Sequence, residues 1–340
     1  MTVLYIGHYD EGSTSGMRGG YLKKILQPQG FTVANIDIPL NATNRFFRSL
    51  GWRYKIGPFI RNINNYILSV INNQWNYDLV WVDKGVFIKP SILKRLRAQS
   101  KKMIHFTPDP AFTYHRSSLF YKAIPFYDAC ITTKSFEENA YRQAGAKQLI
   151  ITTQGFKPEL HKPYHSFEQK KGIVFIGHHE KNREEILTAL LEKKYHITLA
   201  GIGWASFVKK NSSQHNFNYL GNGIFGTAYA ETISGALLSL GLLSKIIPEL
   251  HTTRTFEIPA CGTALFTECN AETEKIFAAD EVFFFGSKNE MLEKVDAAFS
   301  NRLMLQEVTE KGMKKVREGG YDYETILKNI IQQLNLKRHC

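Results

Sequence analysis

Short runs rich in β-branched and aromatic residues alternate along the whole chain with longer segments of helical period, and this alternation constrains the fold most. It builds parallel sheets, because parallel neighbours need a crossover long enough to hold a helix. In the first half the pattern predicts strands at 3–7, 32–38, 78–82, 102–106, 128–132 and 148–151, with helices near 18–27, 90–99, 118–124 and 134–144. Residues 152–171 carry Gly155, Pro158 and Pro163 without a clear period and read as a linker. A second series follows, with strands at 172–176, 196–200, 264–267 and 282–285 and helices at 183–192, 230–240, 254–261, 290–300, 306–318 and 323–334. The fold class is therefore α/β, with two doubly wound, Rossmann-like domains at 1–160 and 161–340. A single barrel would not be interrupted halfway by an irregular segment. At 340 residues each half can bury its own core.

Charge is one-sided. Residues 1–165 hold 22 Lys and Arg against 10 Asp and Glu, while residues 166–340 hold 21 of each, so the whole formal excess of +12 lies in the first half. Such a field attracts anionic partners: nucleic acid, anionic lipid or a phosphorylated substrate. Cys130, Cys261, Cys269 and Cys340 are scattered without metal-ligand spacing and read as reduced thiols, which predicts a cytoplasmic protein. No uninterrupted apolar run reaches membrane-spanning length, and the first residues lack the pattern of a secretory signal.

Four stretches carry candidate chemistry. Ser13, Ser15 and Gly16 belong to a small-residue loop between the first strand and helix; it matches neither the dinucleotide nor the P-loop pattern, and reads either as an anion or sugar cradle or as a bare turn. Arg254 and Glu257, three apart on one helical face, read either as a surface ion pair or as ligands of a diphosphate and a ribose. His105 and Asp109 fall at the end of a strand, where α/β sheets hold ligands; Asp109 is either a base or positioning group, or a turn residue between Pro108 and Pro110. Residues 44–74 interleave Arg45, Arg48, Arg53, Lys55 and Arg61 with Phe46, Phe47, Trp52, Tyr54 and Phe59. That mixture suits an anionic membrane surface, single-stranded nucleic acid, or a helix whose aromatics are core.

The run from Arg254 through Thr255, Phe256, Glu257, Ile258, Pro259, Ala260 and Cys261 to Gly262 resembles the signature of the CgeB-like, spore-maturation-type glycosyltransferases, a branch of the GT-B superfamily related to glycosyltransferase families 1 and 4. Val174–Ile176 with Gly177 and His178, the segment 199–204 ending in Gly203 and Trp204, Ile131–Lys134 and Phe106–Pro110 resemble further segments of that family. The resemblance implies a GT-B fold whose two domains face each other across a cleft, with a C-terminal helix, about 322–340, crossing back onto the first domain. It implies a hexosyltransferase-type enzyme that moves a sugar from a nucleotide-diphosphate donor to a hydroxyl acceptor, without a metal or other cofactor and with retention of configuration. Glu257 would bind the donor ribose, and Glu249, at the family 4 spacing, would lie near the transferred sugar. Arg254, His251, Thr252, Thr253, His178, Lys181 and Arg183 would hold the diphosphate, and Gly203 and Tyr219 would flank the base. His105 and Asp109 would serve the acceptor side. The expected partners are a nucleotide sugar, a glycan, lipid-linked or small-molecule acceptor and an anionic membrane surface at the inner face of the cytoplasmic membrane, with no nucleic acid. A sugar-nucleotide epimerase of the same fold, or a polyanion-binding protein using the basic half, are the alternatives.

Overall fold

The computed structural model describes residues 1–8, 14–41, 43–71, 76–113 and 116–336. Ser13, Cys340, residues 72–74 of the aromatic stretch and the side chain of Ser15 lie outside the described residues. The chain divides into two compact units, one made of Met1–Thr153 with Tyr323–Cys340, the other of Gln154–Asp322.

The first unit runs β1 (Thr2–Gly7), α1 (Thr14–Leu26), β2 (Thr32–Asp37), α2 (Arg45–Tyr54), α3 (Pro58–Val70), β3 (Tyr77–Asp83), α4 (Pro90–Ala98), β4 (Ser100–Thr107), α5 (Ser118–Ala123), β5 (Ala129–Thr132), α6 (Glu138–Gln143) and β6 (Leu149–Ile151). Its six strands are all parallel, in the order β2-β1-β3-β4-β5-β6. The second unit runs β7 (Ile173–Ile176), α7 (Lys181–Glu192), β8 (Ile197–Ala200), α8 (Ala205–Asn211), β9 (Phe217–Tyr219), α9 (Gly226–Ser234), β10 (Leu238–Leu240), α10 (Arg254–Ala260), β11 (Ala264–Glu268), α11 (Thr273–Ile276), β12 (Phe283–Phe285), α12 (Lys288–Ser300) and α13 (Arg302–Glu318). Its order is β12-β11-β10-β7-β8-β9, again wholly parallel. The α/β class with two doubly wound sheets is thus observed.

Each sheet is covered on both faces, so its central strands are apolar throughout rather than alternating. In β3, Leu79, Val80, Trp81 and Val82 are all fully buried, two on each face. One face meets α3 through Phe59, Ile60, Ile63 and Ile67, a helical spacing that turns one stripe inward. The other face meets α1 and α14 (Tyr323–Gln333), the last helix, which returns to the first unit with Ile326, Leu327 and Ile330 buried. Each such side chain contributes about 1.5–3 kcal/mol by leaving water. At the end of α14, Lys102 Nζ donates to the carbonyl of Leu334.

Two sequence expectations change. The apolar run predicted as a helix over 230–240 splits into the end of α9 and the buried strand β10, because a continuous apolar run suits a two-sided parallel strand as well as a buried helix. Gly16 lies in the first turn of α1 rather than in a loop, and is buried there.

Inside the first unit a charged pair is fully enclosed. Arg18 Nε and Nη2 donate to Asp83 Oδ2 and Oδ1 at 2.6 and 2.8 Å, and the Tyr5 hydroxyl donates to Asp83 Oδ2 at 2.9 Å. The guanidinium also stacks over Phe106 at 4.8 Å. Burial pulls the arginine pKa down, but the Asp83 charge and hydrogen bonds outweigh it and leave it above its ordinary value. Removing one partner strands the other in an apolar core. Arg18→Met is expected to cost about 3–5 kcal/mol in urea unfolding, and Arg18→Met with Asp83→Leu clearly less.

His105 corrects the expectation of a catalytic group. It lies within β4, wholly buried between Phe120 and Tyr127, with Nε2 3.3 Å from the Lys84 carbonyl and Nδ1 without a partner among the described residues. Alternation along β4 turns it to the same face as Met103, into the core and away from any reacting surface. Burial pushes its pKa down to about 4. Between that value and the unfolded value of about 6.5 only the unfolded chain takes up the proton, so stability falls as pH drops through this window. His105→Phe is expected to flatten that slope, measured as the difference between variant and wild type in urea unfolding.

Candidate functional site

The order of the second sheet reverses at β7: the chain moves outward through β8 and β9, then returns to place β10 on the other side of β7. Ligands of open α/β sheets bind where the loops leaving two such strands diverge, outside their carboxyl ends. The loops concerned are 177–180 after β7 and 241–253 after β10, with 201–204 after β8 beside them.

These loops are locked to one another. Gly201 has φ +143°, and a Cβ there would fall 1.9 Å from the Gly177 carbonyl oxygen, so only glycine fits. The indole of Trp204 donates to that same carbonyl at 2.8 Å and otherwise packs in the core against Phe175 and Phe207. His179 donates its amide to the Ile202 carbonyl at 2.9 Å, and its ring meets Glu184 Oε2 at 2.5 Å. Gly203, at φ +90°, lies against the Cβ of His179. The Tyr219 hydroxyl reaches the Gly201 carbonyl at 3.0 Å, which brings Gly203 and Tyr219 to the same edge.

Arg183 clamps the two sides of the divergence. From the first turns of α7 it donates to the His178 carbonyl at 2.9 Å and to the Leu242 carbonyl at 3.3 Å, pairs with Glu180 at 3.2 Å and lies over Phe175. It is 4 % exposed, and burial lowers its pKa. Its electrostatic neighbours include Arg254, Glu249 and Glu268, so two guanidinium groups and three carboxylates, Glu180 among them, share one region. Lys245 adds a cation there, 3.4 Å from Glu268. Buried Nε atoms of both Arg183 and Arg254, and the Thr252 hydroxyl, have no hydrogen-bond partner among the described residues. Unpaired buried donors of this kind are rare in folded proteins. His178 is exposed, and Lys181 is exposed at the start of α7 beside Glu184 and Glu185.

The Arg254 segment begins α10. The Thr253 carbonyl accepts the amides of Phe256 and Glu257 at 3.0 and 2.9 Å, and Thr252 donates its amide to Thr255 Oγ1 at 3.1 Å. His251 serves the fold: Nε2 accepts the Gln154 amide at 3.1 Å, and Nδ1 meets Glu272 Oε2 at 2.6 Å. Its ring is therefore not available to a diphosphate. Glu249 lies half-buried in the loop, in a tight turn closed by its amide on the Ile247 carbonyl at 2.7 Å.

Glu257 is held by one residue and faced by a second that the sequence gives no local reason to join to it. Tyr229, from α9, donates its hydroxyl to Oε2 at 2.6 Å, and His161 Nε2 lies 3.7 Å from Oε1. His161 Nδ1 accepts the Lys157 amide at 3.0 Å, which puts the neutral ring's proton on the nitrogen facing Glu257. Burial lowers the His161 pKa and, with the Glu257 charge, raises that of Tyr229. From α13, Arg317 donates to the carbonyls of His161 and Ala260, both at 3.0 Å, fixing this group from below.

In the first unit Asp109 follows β4, its carboxylate 2.6 Å from Lys84 Nζ, both side chains part-exposed. Lys84 follows β3 directly, so this pair stands at the carboxyl edge of that sheet.

A family model described as glycosyl transferase-like matches residues 181–332. The matched segment spans Arg183, Tyr229, Glu249, Arg254 and Glu257. No curated protein matches the chain. Among solved structures, sucrose-phosphate synthase from Thermosynechococcus elongatus is similar with a TM-score of 0.71 at 13 % identity, covering 98 % of this chain and 99 % of that one. Anabaena HepE in complex with UDP gives 0.66 at 14 % identity over 98 % and 99 %. A glycosyltransferase from Rickettsia africae gives 0.66 at 12 % over 100 % and 99 %. At such identities the likeness is one of fold, the two-domain α/β fold of the GT-B glycosyltransferases.

Gly201→Ala is expected to lower stability by at least the 1–3 kcal/mol of a strained backbone, and more from the clash with Gly177, in thermal unfolding.

Proposed function

We propose that the protein is a GT-B glycosyltransferase that holds a nucleotide-diphosphate sugar on its second unit and transfers the sugar, with retention, to a hydroxyl acceptor. The observation that carries this reading is the pair of unsatisfied arginine donors at the strand-order reversal, beside a carboxylate fixed by Tyr229. A departing diphosphate needs charge stabilisation, and Arg254 together with the Thr252 hydroxyl offers it in a region of low solvent access. Arg183 holds the loops on either side, and Lys181 and His178 border the same loop. Glu257 takes the ribose hydroxyls on the oxygen that Tyr229 leaves open. Gly203 and Tyr219 flank the base, and Glu249 faces the transferred sugar. Retention requires no dedicated base, so Asp109 positions the acceptor. The arginines supply the charge that a metal would otherwise bring, which favours a metal-independent transfer. The Arg254–Gly262 segment favours the CgeB-like branch, and the one-sided charge favours a cell-surface glycan or lipid-linked acceptor at the inner face of the cytoplasmic membrane.

The HepE complexes contain UDP and UDP-glucose, which makes these the first donors to try. The test is a thermal-shift screen of UDP, GDP, ADP, CMP and TDP with their sugar conjugates. Binding to the folded state raises the melting temperature by mass action. One nucleotide is expected to do so. Glu257→Gln, which keeps an acceptor for Tyr229, should weaken that nucleotide roughly 10- to 100-fold, the worth of a hydrogen bond to a charged group. No shift with any nucleotide, or an undiminished shift in both Glu257→Gln and Arg254→Ala, overturns the reading.

A further inference from the structure

Helix α2 is amphipathic in the wrong sense for a helix of a globular unit. Phe46, Leu50 and Tyr54, spaced four apart, form one stripe and are 67 %, 37 % and 55 % exposed, with Phe47 next to them and Ile56 just past the helix end. The contact with the rest of the unit is made by Gly51. A Cβ there would lie 2.5 Å from Phe59 Cδ1, so glycine lets α3 approach while the aromatic stripe points outward. Trp52 anchors the helix, meeting Phe87 edge-on at 4.7 Å.

Exposed cations share the two helices with the stripe, and Arg53 lies over the Tyr54 ring at 5.5 Å. Arg45 and Arg53 on α2 and Arg61 on α3 are exposed, and Arg48 is half-exposed. Lys55 is not one of them: it is 6 % exposed, donates to the Trp52 carbonyl and faces the Phe87 ring. No Asp or Glu occurs anywhere in residues 38–77.

We propose that α2 docks on a bilayer surface that contains anionic lipid, its apolar stripe inserted at the headgroup boundary and its arginines among the headgroups. Exposed apolar side chains together with cations that form no ion pair among the described residues fit that surface and few others. A second copy of the chain would bring two basic surfaces together. Single-stranded nucleic acid would be gripped by stacking, whereas Leu50 and Ile56 offer no aromatic face. The proposal does not rest on the transferase reading, and its test involves no nucleotide.

The test is flotation of the full chain with phosphatidylcholine vesicles, with and without phosphatidylglycerol, in low and high salt. Binding is expected only with phosphatidylglycerol and should weaken in high salt. Phe46→Ser with Leu50→Ser should lower partitioning roughly tenfold or more at an unchanged melting temperature, since both side chains are already exposed. Arg45→Glu with Arg53→Glu, which leaves the apolar stripe intact, should abolish the preference for anionic vesicles. Failure to float with anionic vesicles overturns the proposal. So does flotation that both variants retain, or a dimer in light scattering that the serine variant dissociates while vesicle binding persists.

Discussion

Parallel strand pairing is the constraint on which the rest depends. Every paired strand in both sheets is parallel, so each strand must be followed by a crossover, and every loop that leaves a strand emerges at one edge. Where strand order reverses, two such loops part and leave room between them. In the second unit, residues distant in the chain, Gly177–Arg183 and 241–257, are brought to that one place by topology alone. No local propensity of either segment would do it.

Each unit spends buried charge on holding that edge in shape. In the first, Arg18 and Asp83 are fully desolvated and paired bidentately, with Tyr5 completing the carboxylate. In the second, Arg183 bridges carbonyls on both sides of the divergence and pairs with Glu180. The first arrangement is closed on itself, with both Asp83 oxygens accepting from Arg18 and Tyr5. The second leaves the Nε atoms of Arg183 and Arg254 unanswered, and a low-dielectric site with spare cationic donors is suited to receive an anion.

Particular residues show how far the sequence could be read. The Arg254–Gly262 segment was legible because its geometry is local: an arginine and a glutamate three apart share a helical face, and Gly262 with φ +69° ends it. What holds Glu257 was not legible. Tyr229 lies 28 residues away, and His161 lies in a stretch that reads as a linker, and nothing short-range connects either to the carboxylate. His105 shows the converse. Its place near a strand end suggested a site, but the side-chain alternation of β4 sends it inward. The run 236–243 has too little polar contrast for periodicity to separate a two-sided strand from a helix, and β10, on which the reversal of strand order turns, is hidden in it.

By itself the sequence determined the α/β class, because the periods of 2 and 3.6 residues and the turn-forming breaks are written into neighbouring residues. It also determined the basic first half and the arginine-glutamate helix, which are properties of composition and short spacing. Only the tertiary structure decided which charged groups are enclosed, which partner holds Glu257, that His105 is core, and that the apolar stripe of α2 faces outward. Those outcomes depend on strand order and on close approach between separate elements, such as Gly51 of α2 against Phe59 of α3 or Gly201 against Gly177, and contacts of that kind are fixed only when the whole unit packs.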